Sequence, residues 1–233
     1  MVVDHVGVIL FPDVYALRVI GRLCYPLFAF LIAYGCTKTR DMSRYFLRLI
    51  CFAVWLQIAW AAYAMLFDTS AVPQQGNILF TLAFGVLAIW VANYFWKGAP
   101  AKTVIDRLFL TFISGAMAAL VCALGYYLGV DYGAPGVAAI VLFYAMLKAR
   151  PFITNKTFAF TFHILAPAAI LVLCNGIDVL ISGNPIQGWA PLAVVFIWFF
   201  ADRRLRITWF EKYFFYLFYP LHMIILYGIA WLL

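Results

Sequence analysis

Apolar runs of roughly 17 to 25 residues, the length a helix needs to cross a bilayer, recur along nearly the whole of this chain with only short polar breaks between them. That spacing leaves no room for a soluble domain. Of the 233 residues, 67% are hydrophobic and 11% are charged, where a soluble domain carries about 25% charge. The expected architecture is an all-α polytopic transmembrane bundle of about nine spans, forming a single integral membrane domain over residues 1–233. Spans are expected near residues 19–36, 45–67, 77–96, 104–128, 136–147, 157–181, 189–201 and 213–233. They follow a first run of about a dozen residues before Pro12, too short to cross a bilayer. Either it is a half-span, or it is the truncated end of a helix that begins upstream of Met1.

Charge sorts by side. The breaks after spans two, four, six and eight hold nearly all the Lys and Arg, whereas the alternate breaks carry Asp68, Asp131 and Asp178 and no basic residue. By the positive-inside rule the N-terminus is cytoplasmic and the C-terminus lies outside. The formal net charge of +7 is then a cytoplasmic collar facing anionic lipid, not a nucleic-acid surface. Part of this collar, which includes Arg40, Arg44, Arg203 and Arg204, is placed to meet an anionic ligand such as the phosphates of coenzyme A. The five cysteines have no metal-ligand spacing and read as small buried hydrophobes.

Four ionisable groups break the pattern. Asp4 and His5 stand inside the first run, MVVDHVGVILF, and Arg18 and Arg22 stand at the start of the next, LRVIGRLCYPLFAF. An ionisable side chain within a membrane is costly without a partner, so such residues face a bundle interior and mark working sites. If the two runs are helices joined by a turn at Pro12 and Asp13, they are antiparallel, and Arg22 lies about one turn from Asp4 and His5. Adjacent helical residues point about 100° apart, so Asp4 is expected to pair with an arginine of the second helix and not to orient His5. The competing reading is a buried ion pair that only fixes helix packing, with His5 a satisfied core residue.

The last run, KYFFYLFYPLHMIILYGIAW, places His222 near the bilayer midplane with Tyr219 three residues earlier on the same face. Pro220 frees the Tyr216 carbonyl from its helical partner. Asn77 and Gln57 read as hydrogen-bonding glue between helices. His222 is either such glue or part of a common site with His5.

The blocks MVVDH, GRLCYPLFAFLIAYG, GNILFTLAFG, DYGAPG and FYLFYPLHMIILY, in this order and covering the chain, resemble the TraX family, membrane proteins of F-type conjugation systems linked to N-terminal acetylation of pilin. That family is similar in turn to transmembrane acyltransferases. The resemblance carries the family's Asp-His onto Asp4 and His5, its Gly-Arg onto Gly21 and Arg22, and its Gly-Asn-Ile-Leu-Phe onto Gly76 to Phe80. Its Tyr-Gly falls on Tyr132 and Gly133 and its C-terminal His on His222. It implies a multi-pass protein of the bacterial inner membrane that moves an acetyl group from acetyl-CoA to the N-terminal amine of a pilin subunit.

Such chemistry needs a base and an oxyanion donor. Histidine suits the first task and arginine or a tyrosine hydroxyl the second. The expected catalytic set is His5 as base, Asp4 and Arg22 as the supporting pair, and His222 from the last helix, with Arg18, Tyr132, Tyr219 and Asn77 toward substrate. Three alternatives stand beside it. Intramembrane His, Asp and Arg also serve proton-coupled transporters, a noncatalytic factor could gather pilin, and the acyl acceptor could be a sugar.

Overall fold

In a computed structural model, which describes residues 1–67, 76–98, 103–201 and 209–232, the chain is helical throughout its main elements. These are α1 (Val2–Ile9), α2 (Tyr15–Arg22), α3 (Cys24–Lys38), α4 (Met42–Phe67), α5 (Ile78–Gly98), α6 (Val104–Tyr127) and α7 (Gly133–Ala149). After them come α8 (Lys156–Ser182), α9 (Val194–Ala201) and α10 (Trp209–Leu232), with 3-10 segments at Arg150–Phe152 and Pro185–Ala193. Among the described residues six helices are long and apolar enough to span a bilayer: Tyr15–Lys38, Met42–Tyr63, Ile78–Trp96, Val104–Tyr127, Gly133–Phe152 and Thr157–Ser182. The expected bundle of apolar helices is present, and among the described residues six of its expected nine spans reach that length. Pro185–Phe199 and Leu217–Ala230 are shorter apolar helices, and α1 has only eight residues.

Each boundary has a local cause. Proline at position 26 has no N–H to give the Arg22 carbonyl, so the helix breaks at Leu23 between α2 and α3. Asn155 caps α8 by accepting the Phe158 N–H at 3.1 Å, and Gly183 ends it in the left-handed region at φ 68°. The Asp41 carboxylate accepts the Arg44 backbone N–H at 3.0 Å and the Ser43 hydroxyl at 2.7 Å. Those bonds to its charged form hold Asp41 below the usual carboxylate range.

The chain forms two compact units, Met1–Phe28 with Asn155–Leu233, and Ala29–Thr154. In the second, α5 is the enclosed element. Gly85 lets α7 approach until a Cβ there would stand 2.8 Å from the Ile140 Cγ2. Asn77 donates to the Ala53 carbonyl at 2.9 Å and to Gln57 Oε1 at 3.1 Å, tying the start of α5 to α4. The Gly76 N–H donates to the Gly129 carbonyl at 2.9 Å across the following loop. Large apolar side chains such as Ile105, Phe112 and Leu120 of α6, and Leu165, Val172 and Leu180 of α8, are exposed. Such faces suit contact with acyl chains and not with water.

Candidate active site

The first unit builds its polar centre on an unusually close approach of α1 and α2. Gly7 and Gly21 are buried. A Cβ on Gly21 would collide with the Asp4 side chain, 2.6 Å from its Cγ, and one on Gly7 would sit 2.9 Å from the Leu17 Cβ. With those two methyl groups absent, the Asp4 carboxylate lies directly on the helix that carries both arginines. Arg22 Nη2 donates to Asp4 Oδ2 at 2.6 Å, and Arg18 Nη1 stands 3.2 Å from Asp4 Oδ1. One carboxylate therefore faces two guanidiniums four residues apart on one helical face. The expected pairing of Asp4 with the second helix is present.

α10 packs on α1 and brings the two imidazoles together. His5 Nδ1 lies 2.8 Å from His222 Nε2, with the rings stacked at a centroid distance of 5.1 Å. His222 is buried, and its Nδ1 lies 2.8 Å from the Phe218 carbonyl. A carbonyl can only accept, so His222 Nδ1 carries the proton, and a neutral His222 ring then offers Nε2 as an acceptor. It accepts the hydrogen bond donated by His5 Nδ1–H. A neutral His5 is left with its lone pair on Nε2. The acceptor that fixes this order is the Phe218 carbonyl, one turn before His222, and not the Tyr216 carbonyl that Pro220 releases. Tyr219 completes the aromatic wall, its ring centroid 6.1 Å from that of His5 and 5.6 Å from that of His222.

Two further polar residues belong to this unit. Asp178, read from sequence as a loop acid, stands inside α8 within electrostatic reach of Arg22. Gln187 is buried in the 3-10 segment that packs on both α2 and α8, and its Oε1 has no hydrogen-bond partner among the described residues. The signal for Gln187 was a lone amide between Pro185 and Pro191 in an apolar stretch. The expected span 157–181 already contains Asp178, whose charge was nonetheless counted with the break that follows it.

Other expected site residues lie in the second unit. Asn77 serves the α4–α5 bonds described above, and its Oδ1 accepts the Leu79 N–H at 3.1 Å. The Tyr132 backbone N–H meets Thr81 Oγ1 at 3.4 Å at the start of α7. Arg40 is exposed, and Arg44 pairs with Asp41 at 2.9 Å on the surface. Arg203 and Arg204 lie outside the described residues.

A family model described as "TraX protein" matches residues 1–230 of the chain. Among curated proteins, "Probable fimbrial assembly protein FimC, serogroup H1" of Dichelobacter nodosus is 28% identical over 240 residues, covering 97% of this chain and 89% of that protein. No solved structure matches.

Proposed function

We propose, for a chain that belongs to the TraX family, that this membrane protein is an acyltransferase carrying an acetyl group from acetyl-CoA to the N-terminal amine of a pilin subunit. The observation that carries the reading is the 2.8 Å contact between His5 and His222, anchored by the Phe218 carbonyl. It supports a base with one defined lone pair, on His5 Nε2. As the amine nitrogen attacks the thioester carbonyl, His5 Nε2 takes its proton. The C–N bond forms, the C–S bond breaks, and the imidazolium returns the proton to the departing thiolate. Through both steps His5 Nδ1–H keeps the same acceptor on His222, so the ring does not reorient. The imidazolium formed in between is stabilised by that bond, as an orienting partner stabilises the base in hydrolytic triads.

Arg18 and Arg22 both lie on the Asp4 carboxylate, and a guanidinium held there suits the oxyanion of the tetrahedral intermediate. Asp4 serves as their anchor and does not touch the base. The name of the Dichelobacter relative supports a pilus-type acceptor over a sugar. The same name also favours a second reading, a noncatalytic assembly factor that holds pilin in the membrane.

One experiment separates them. Pilin recovered from cells carrying His5→Ala should lose its acetyl group, with the transfer rate down roughly 10²–10⁴-fold, while its amount and assembly persist. Full acetylation in that variant removes His5 from the mechanism. Loss of pilin assembly with acetylation intact selects the assembly factor.

A further inference from the structure

The second unit carries a cluster of cations that the polar centre around His5 does not use. At one end of this unit, α3 closes with Tyr34 and Lys38, and α4 opens three residues later with Arg44, Tyr45 and Arg48. α7 closes there with Tyr144 and Lys148, and Arg150 opens the 3-10 segment that follows. Independent contacts bring these ends together. The Tyr45 hydroxyl lies 2.8 Å from where a Gly35 Cβ would stand, seating α4 on α3. Tyr34 is within electrostatic reach of Arg150, joining α3 to α7. The Asn93 side chain donates to the Tyr144 hydroxyl at 2.9 Å, joining α5 to α7.

Three of the cations lie over tyrosine rings: Lys38 Nζ 5.3 Å from the Tyr34 centroid, Arg48 Cζ 5.8 Å from Tyr45, and Lys148 Nζ 5.7 Å from Tyr144. Each ring holds its cation by its face, an attraction that uses none of the cation's N–H donors. The acidic group between α3 and α4, Asp41, is engaged by Arg44 and Ser43. Counting Lys38, Arg40, Arg44, Arg48, Lys148 and Arg150 against Asp41, six minus one, these segments of α3, α4 and α7 carry a charge of +5. The Nε of Arg48 is also shielded from solvent and has no hydrogen-bond acceptor among the described residues. A surface collar that only repels or attracts at a distance has no need of a desolvated guanidinium N–H.

We propose that this tyrosine-backed cluster, centred on Arg48 with Lys38, Lys148 and Arg150, is a binding site for a phosphate-bearing anion. The assignment stands apart from the acyl-transfer reading, because it is tested by binding alone. The same phosphate chemistry belongs to two sources, a soluble nucleotide such as coenzyme A and an anionic lipid headgroup. The full chain would be placed in nanodiscs of phosphatidylcholine alone, and binding of coenzyme A and of 3′,5′-ADP measured by calorimetry for the native chain, Arg48→Gln, Lys148→Gln and, outside the cluster, the exposed Arg107→Gln in the first turn of α6. In a parallel arm without nucleotide, the uptake of phosphatidylglycerol from mixed vesicles would be measured for the same proteins.

Nucleotide binding roughly tenfold weaker in Arg48→Gln and Lys148→Gln, with Arg107→Gln unchanged, assigns the site to a soluble phosphate ligand. Equivalent loss of phosphatidylglycerol uptake, with no nucleotide binding by the native chain, assigns it to a headgroup. Equal effects of all three substitutions in both arms, or no effect of any, overturn the site and leave only diffuse charge. Melting curves matching the native chain are required of each variant, and Arg48→Lys, which keeps the charge but not the Nε–H, should recover only part of the binding.

Discussion

Substituting Gly21 with alanine tests the physical basis of the polar centre without touching any ionisable group. A Cβ at this position would lie 2.6 Å from both Cγ and Oδ1 of Asp4, and closer still to the Asp4 Cβ. Because the obstructing atoms begin at the Asp4 Cβ, rotating the carboxylate cannot relieve the clash, and the helices themselves must separate. Restoring an ordinary carbon contact of about 3.5 Å to the Asp4 Cγ alone requires a separation of roughly 0.9 Å, and the nearer Cβ requires more. Carried over to the Arg22–Asp4 bond, now 2.6 Å, this stretches it to about 3.5 Å, beyond the range in which a charge-assisted bond keeps its strength. The expected cost is about 1–3 kcal/mol for overpacking and a further 1.5–3 kcal/mol or so for the weakened charged bond. Melting in detergent, followed by tryptophan fluorescence, should therefore fall clearly for Gly21→Ala, and acetylation of pilin should fall with it. Gly7→Ala, whose nearest contact is the Leu17 Cβ at 2.9 Å, should act in the same direction and less strongly. Gly115→Ala, where a Cβ meets nothing within 4 Å, should be neutral or stabilising. A Gly21→Ala protein with native melting and native activity would refute the argument that a glycine-permitted approach sets the Asp4–arginine geometry.

Two further expectations follow from the same unit. Asp4→Asn and Arg22→Gln should each destabilise by about 3–5 kcal/mol, because each strands a buried partner, and the double change should cost less than the two combined; strict additivity in melting would show the pair uncoupled. Gln187→Leu should hold or raise the melting temperature, since a buried amide oxygen with no donor costs about 1–3 kcal/mol, whereas a drop would mean that Oε1 has a structural partner.

The membrane class of the fold and its segment order were legible in the chain, because a bilayer demands runs of fixed length and their hydrophobicity is local information. The same locality exposed Asp4, His5, Arg22 and His222, since charge or imidazole in an apolar run stands out whatever the fold. Local patterns also put Asp4 and Arg22 on facing turns, because the short connection around Pro12 and Asp13 leaves antiparallel helices few registers. Span number was less legible: hydropathy treats α1 and Pro185–Phe199 as equals of the long helices, and Pro185 and Pro191 interrupt the apolar run that ends in α9. Tertiary structure decided everything that depends on contacts across many residues. It brought together His5 and His222, 217 positions apart in sequence, selected the Phe218 carbonyl that orders the protons of that pair, set Asp178 in the neighbourhood of Arg22, and gathered the tyrosine-backed cations from three helices. Sequence carries side-chain chemistry one residue at a time, whereas a relay or an anion site exists only when packing holds its atoms within hydrogen-bond or cation–π distance.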